Sequence, residues 1–375
     1  MTRMQKDKIL ITGATGFIGS FIVEEALRRG MEVWAAVRAT SSRKYLPQEG
    51  INFIELDFND EHKLKEQLRQ HSFDYVVHAA GVTKCLNKAD FFKTNSKGTR
   101  HLVNAILDLA MPVKRFVFIS SLSILGPIRE EEPHTDITDS DTPQPNTAYG
   151  KSKLEAEDYL RSVADRLPFI ILRPTGVYGP REKDYFMMAE SIKKHVDFAV
   201  GYKRQDITFI FVSDVVQAVF LALTNGKTGS SYILSDGEVY SSRTFSDLIQ
   251  KELGVKHVLR IVAPLWFLKT VSTVAEAMAH LTGKISALNR DKYNIMKQRN
   301  WQCDISPARK ELGFEPKCQL PEGVRISMKW YKDNGWMYAP DGCMHQTDVC
   351  NTKVGCWQRN GWNDLNDRKR KRQRL

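Results

Sequence analysis

The chain lacks an uninterrupted apolar stretch of the length a bilayer demands. A spanning helix takes about 20 mainly apolar residues. The best candidate, 258–283, is broken by Arg260, Pro264, Lys269 and Glu276. It reads instead as a buried or substrate-lining helix. Cysteine is scarce, with six in 375 residues. Cys85, Cys303 and Cys318 are far apart, and Cys343, Cys350 and Cys356 crowd near the end. Residues 1–8 are short and polar rather than a secretory leader. Together these features predict a reducing, cytoplasmic setting, not a disulfide framework. No C-x2-C pair is present and only His345 lies near the last three cysteines, so no metal site is expected. No internal repeat is visible, and a composition 42% hydrophobic and 26% charged excludes a disordered or collagen-like chain.

Acidic charge is also in deficit, for a net +11. The excess is uneven. Residues 341–375 hold eight Lys/Arg against four Asp/Glu, so this short end carries +4, mostly in Arg368, Lys369, Arg370, Lys371, Arg372 and Arg374. It lacks periodicity and reads as a basic, disordered tail. The remaining +7 is ordinary for an enzyme. Neither nucleic acid nor a membrane surface is an expected partner.

What is present is an alternation of short apolar runs with amphipathic stretches. Strands are predicted at 8–12, 32–37, 52–56, 75–79, 115–120 and 169–173, and helices at 17–29, 61–70, 91–110 and 149–167. A Pro- and acid-rich loop spans 126–146. Such runs, alternating with helices, imply a doubly wound parallel α/β sheet covered on both faces. Beyond residue 176 the rhythm breaks, with helices expected at 213–224, 244–253 and 306–312. The expected division is a Rossmann domain over 1–176, to which 206–236 returns, a smaller substrate lobe from 177–205 and 237–337, and the tail at 338–375.

The strongest local signal is Thr12-Gly13-Ala14-Thr15-Gly16-Phe17-Ile18-Gly19, between a buried strand and an amphipathic helix. Glycines let the backbone approach a pyrophosphate, and the helix N-terminus offers free N–H groups and a positive dipole end. Gly13, Thr15, Gly16, Phe17, Ile18 and Gly19 are therefore candidate dinucleotide contacts. The residue after the second strand selects the dinucleotide: an acid favours NAD(H), a cation the 2′-phosphate of NADP(H). That stretch is Val37-Arg38-Ala39-Thr40-Ser41-Ser42-Arg43, with no acid, so NADP(H) is favoured over NAD(H) through Arg38. A second signal is Tyr149-Gly150-Lys151-Ser152-Lys153. Tyr149 and Lys153 share a helix face, where a lysine cation would lower the pKa of a phenol otherwise near 10.

The G-x-x-G-x-x-G spacing and the Y-x-x-x-K helix resemble the extended short-chain dehydrogenase/reductase family, of the NAD(P)-dependent epimerase/dehydratase type. The resemblance covers roughly residues 8–337. It implies that Asp57 binds the adenine amino group with Phe58 beside the ring. It places Ala79, Ala80 and Gly81 along the adenosine ribose and gives Asn95 an organising role. Ser121 takes the catalytic serine position, Tyr149 serves as acid/base and as a cofactor contact, and Lys153 also binds the nicotinamide ribose. Pro174, Thr175 and Val177 would pass the nicotinamide, and Ser123 and Arg181 would line the substrate pocket. A homodimer through helices beginning near Phe91 and Tyr149 is implied as well.

Ser121-Leu122-Ser123 stands where sugar-nucleotide dehydratases carry Thr-Asp-Glu, which disfavours elimination of water. Gly176 replaces an asparagine frequent in sugar epimerases. The Arg173–Pro180 wording leans toward the hydroxysteroid dehydrogenase and dihydroflavonol reductase branches. The expected function is hydride transfer at a secondary alcohol or ketone, on a hydrophobic substrate or a nucleotide-sugar. The alternatives are an epimerase that retains its cofactor and a non-catalytic dinucleotide sensor.

Overall fold

A computed structural model describes residues 6–283, 286 and 288–337. The basic tail expected at 338–375, with its three cysteines and His345, lies outside the described residues. In chain order the elements are β1 (Lys8–Thr12), α1 (Phe17–Arg28), β2 (Glu32–Val37), β3 (Ile51–Glu55), α2 (Glu61–Leu68), β4 (Tyr75–His78), α3 (Lys88–Phe91), a π-helical turn (Phe92–Lys97), α4 (Gly98–Asp108) and β5 (Arg115–Ile119). They continue with α5 (Ala148–Ser162), β6 (Phe169–Pro174), β7 (Gly176–Tyr178), α6 (Asp184–Lys193), β8 (Val196–Val200), β9 (Asp206–Ile207), β10 (Phe209–Phe211), α7 (Val212–Thr224), β11 (Ser231–Leu234), β12 (Tyr240–Ser241), α8 (Thr244–Leu253), β13 (Leu259–Ala263), α9 (Leu265–Thr282), α10 (Arg290–Lys297) and α11 (Leu320–Asp333).

Seven strands form the central sheet in the order β11-β6-β5-β4-β1-β2-β3, and every pairing is parallel. Their fully buried runs, such as Ile9–Ile11 and Phe169–Leu172, explain the apolar stretches of the sequence. One face is covered by α2, α4 and α5, which bury Leu64, Leu102, Ile106, Ala156 and Leu160 against Leu10, Val76, Phe116 and Ile171. On the other, α1 packs with α7. Strand order reverses between β1 and β4, so the crevice at their carboxyl ends is the expected ligand site of a doubly wound sheet. The sheet and the elements after it, up to Asn334, belong to one compact unit.

Three expected helices differ from what is found. The helix expected over 149–167 ends at Ser162, and 163–167 turns back through Val163, with Arg166 and Leu167 N–H both bonded to its carbonyl. Pro168 disfavours helical backbone at Leu167, so the helix gives way before it. The helix expected over 91–110 is interrupted by the π-helical turn 92–97. The segment 258–283, expected as a buried or substrate-lining helix, is β13 followed by α9, and most of the α9 surface faces outward. Only Leu268, Ser272 and Ala279 of α9 are buried. The long 126–146 loop is held by the chain near residue 300, where Asn300 Nδ2 donates to the Arg129 and Thr135 carbonyls and Gln298 Nε2 to that of Gly126.

Candidate active site

The glycine turn is shaped by close backbone approach. Gly13 has φ +68°, and a Cβ there would sit 2.6 Å from the Ala79 carbonyl oxygen. A Cβ on Gly19 would lie 2.1 Å from the Gly13 carbonyl oxygen. The turn closes with Gly16 N–H donating to Gly13 O at 2.9 Å. Helix α1 then starts without a side-chain cap and without an acid in its first turn. Its first N–H groups are left for an anion, in a cradle that a side chain would fill. These residues fit a dinucleotide pyrophosphate. Gly19→Ala should therefore weaken dinucleotide affinity by about tenfold or more, since the turn cannot keep its shape. Titration of cofactor fluorescence on a variant with unchanged circular dichroism checks this, and unchanged affinity would contradict it.

A buried histidine that sequence reasoning passed over locks this turn to the next strand. His78 Nδ1 lies 2.7 Å from Thr12 Oγ1, and Nε2 lies 2.9 Å from Thr99 Oγ1. Thr99 spends its proton on the Asn95 carbonyl, so His78 Nε2 is the donor toward Thr99 and Nδ1 accepts from Thr12. Thr12 Oγ1 in turn accepts from Ala80 N–H at 3.2 Å. Burial first, and the Lys153 charge second, push the imidazole down to about 3, so it stays neutral. The chain Ala80–Thr12–His78–Thr99–Asn95 ties β1, β4 and the π-helical turn together.

Asn95 is fully buried on that turn. Its Oδ1 accepts from Val82 N–H at 2.8 Å, and its Nδ2 donates to the Val82 carbonyl and to Ser152 Oγ. A Cβ on Gly81 would meet Asn95 Oδ1 at 3.1 Å and Lys153 Nζ at 3.2 Å. Gly81, Asn95 and Lys153 thus converge at the end of β4.

The segment after β5 and the start of α5 are brought together by Gly150. A Cβ there would lie 2.7 Å from the Ser123 carbonyl oxygen. Thr147 caps α5 through Gly150 N–H, and Asp291 accepts from Ala148 N–H at 2.7 Å, anchoring the same end. Ser123 donates to Ser121 Oγ through both its N–H and its hydroxyl. The Ser121 hydroxyl lies near enough to the Tyr149 oxygen to favour its phenolate. Burial raises the Tyr149 pKa, and the Ser121 hydroxyl opposes this. Lys153 is buried, donates to the Ile119 carbonyl at 2.8 Å and sits over the Phe118 ring. Desolvation pulls its ammonium down to about 8, against the pull of Glu157.

Ser120 is accounted for otherwise. It donates to Glu157 at 2.5 Å, and Glu157 is fully buried and clamped by Arg173 at 2.7 Å. Arg173 also meets Asp139 at 2.9 Å. Desolvation raises the Asp139 carboxyl to about 6, with Arg173 acting against it. Within this ion-pair triad, Glu157 lies one turn after Lys153 on the same face of α5.

Other expected contacts sit as follows. Arg38 is exposed just after β2 and makes no ion pair among the described residues. Asp57 accepts from the backbone N–H of Asn59, its main stabilisation as a carboxylate, and pairs with Lys63 at 3.2 Å. Phe58 packs on the core beside His78. Pro174 ends β6 opposite Leu234. The Thr175 hydroxyl is bonded inward to Thr208 at 2.8–2.9 Å, which leaves its backbone as the group nearer a ligand role. Val177 pairs with Ile210. Arg181 bonds Ser20 and Glu24 and lies over the rings of Phe21 and Tyr45, so its guanidinium is held against α1. It braces α1.

Residues 9–235 match the model of the NAD dependent epimerase/dehydratase family, which is well over half of the chain. The chain belongs to that family. Its relatives include UDP-glucose 4-epimerase of Vibrio cholerae, 26% identical, with 86% of this chain and 95% of that one covered. Sterol-4-alpha-carboxylate 3-dehydrogenase (decarboxylating) of Dictyostelium discoideum is also 26% identical, with 84% and 98% covered. The Bordetella bronchiseptica enzyme WbmG, solved in complex with NAD, shares the fold at a TM-score of 0.71 and 24% identity, with 89% and 97% covered. Family membership makes this an enzyme of the NAD-dependent epimerase/dehydratase type, with the extended short-chain dehydrogenase/reductase architecture.

Proposed function

We propose that the enzyme is a net oxidoreductase that interconverts a secondary alcohol and a ketone through Ser121, Tyr149 and Lys153. The observation that carries this reading is the convergence of Ser121, bonded by Ser123, with Tyr149 and the buried Lys153 of one helix face, where β5 and α5 meet. When bound, the nicotinamide would supply or take a hydride at the substrate carbon. Tyr149 moves the matching proton between its Oη and the substrate oxygen. Ser121 orients that oxygen and stabilises the phenolate that forms in the reductive direction. Lys153 adds a positive charge there and is placed, beside Gly81 and Asn95, to hold the nicotinamide ribose. Burial favours the protonated phenol, which suits an acid that reduces a ketone.

Supporting cofactor residues are the 13–19 turn, Asp57, Phe58 and 79–81. NADP(H) is the preferred form on this reading, because the exposed Arg38 follows β2 with Ser41 and Ser42 and no acid. Arg38→Ser should raise the KM for NADP(H) about tenfold, the scale of one charge-assisted bond to a phosphate, and leave that for NAD(H) unchanged. Equal effects on both cofactors would remove Arg38 from this role. The substrate is a hydrophobic alcohol or ketone, with a nucleotide-sugar as the alternative, and the active form is a homodimer through α4 and α5. Screening both substrate classes with both cofactors tests the function. The reading expects stoichiometric change at the nicotinamide absorbance band. Conversion with no net change would make the enzyme an epimerase, and dinucleotide binding with no conversion a sensor.

A further inference from the structure

The outer face of α9 is unlike the rest of the surface. Trp266 is 71% exposed, Val274 57%, Met278 52% and Leu281 81%. Phe267, Val271, Val274, Met278 and Leu281 recur at intervals of four and three residues, so they form one continuous stripe along the helix. Single exposed apolar residues are ordinary, but a contiguous apolar surface marks an interaction site. The surface continues onto the small sheet that leads into α9. Ile261 of β13 is in register with Phe198 of β8, so both project from the same sheet face, and both are exposed. Leu265 packs on Gly201, next to the exposed Tyr202.

The charges around this surface have one dominant sign. Exposed Lys193, Lys194 and His195 precede β8, and exposed Lys256 and His257 precede β13, at the shared entry edge of the two parallel strands. Lys203 follows Tyr202, and Lys269 and His280 lie on α9 itself. Two of the acids nearby are engaged, Asp247 with Arg260 and Glu276 with the backbone N–H of Arg290, and the cations outnumber the rest. Glu276 faces inward, where it and Ala279 line a cleft with Phe91 and Asp291. Phe91 packs on Tyr149, so the inner side of α9 looks toward the active site while its outer side is apolar.

We propose that the outer face of α9, with Phe198 and Ile261, docks on an anionic lipid bilayer. An apolar helix stripe with aromatic residues at one end and a rim of lysines is the composition of a helix that lies in a membrane interface. A second copy of the chain fits less well. A two-fold contact through this face would bring two predominantly basic rims together. The sequence also supplies a second basic cluster, Arg368–Arg374, consistent with the rule that stable anchoring takes two signals. The expectation that no membrane surface is a partner rested on reading 258–283 as a buried or substrate-lining helix and the basic end as disordered, and the exposure of α9 removes the first of these grounds.

The test is flotation of the full-length protein with phosphatidylcholine vesicles, with and without phosphatidylserine. The wild type should bind the anionic vesicles and release at high salt. Phe267→Ser/Val274→Ser/Met278→Ser should lower the bound fraction about tenfold, with melting temperature and dinucleotide affinity unchanged. Lipids with brominated chains should quench the fluorescence lost in Trp266→Phe. No binding by the wild type, or equal binding by the triple variant, overturns the proposal. So does a triple variant that halves the solution mass while the wild type ignores lipid, which would assign the face to a second copy.

Discussion

Tyr149→Phe is expected to lower turnover by on the order of 10²–10⁴-fold, the scale of a positioned general acid or base, and to leave dinucleotide affinity nearly unchanged. The substitution removes one oxygen and keeps the ring, which is half-buried and packed edge-on against Phe91. The cofactor cradle is built elsewhere, from the 13–19 turn, so binding does not depend on the phenol. What is lost is the proton donor, while the Ser121 and Lys153 side chains stay in place. Steady-state kcat alongside a cofactor titration checks both halves. Near-wild-type turnover with the cofactor bound would mean that another group moves the proton.

The second large effect concerns stability. Arg173→Met should cost about 3–5 kcal/mol, the penalty of stranding buried carboxylates without their cation. Glu157 is fully buried and bonded to Arg173 through both oxygens, and Asp139 shares the same guanidinium. The sign of the pH dependence follows from the charges. Burial already raises Asp139 to about 6 with Arg173 opposing, so without Arg173 it rises further above its unfolded value. The variant therefore loses stability relative to wild type as pH rises from about 4 toward 8, and is least impaired in acid. Urea unfolding at pH 5 and pH 8 measures this. Arg173→Met combined with Glu157→Gln should cost less than the two single changes together, because the stranded charge is gone. A small, pH-independent loss would show that the triad contributes little.

The sheet was legible because its strands are buried on both faces, leaving apolar runs such as Lys8–Thr12 that helices do not mimic. The glycine turn and the Tyr149/Lys153 pair were legible because each depends on spacing within a few residues. Other features depend on pairings between distant residues. The Arg173–Glu157–Asp139 triad joins three segments, and no single window of sequence contains it. The π-helical turn at 92–97 inserts its extra residue without disturbing the apolar pattern, so the continuous helix expected over 91–110 hid the bulge that carries Asn95. His78 could be seen at a strand end, but its two threonine partners are 66 and 21 residues away. Helix α9 shows the opposite difficulty. Leucine, valine and tryptophan at helical spacing look the same whether the stripe meets a core or the solvent, and only the fold decides. Arg181 reads as a pocket cation from its place after Tyr178-Gly179-Pro180, yet its left-handed backbone, φ +75°, turns it back onto α1.

The central claim is that hydride and proton are exchanged with a substrate at the Ser121/Tyr149/Lys153 site. Its most direct measurement follows deuterium from reduced nicotinamide labelled at the transferring carbon, with the substrate that the screen selects. The account predicts one deuterium on the carbinol carbon of each product, one oxidised cofactor for each product, and neither with Tyr149→Phe. Product that forms without label, while the cofactor stays reduced, would contradict it.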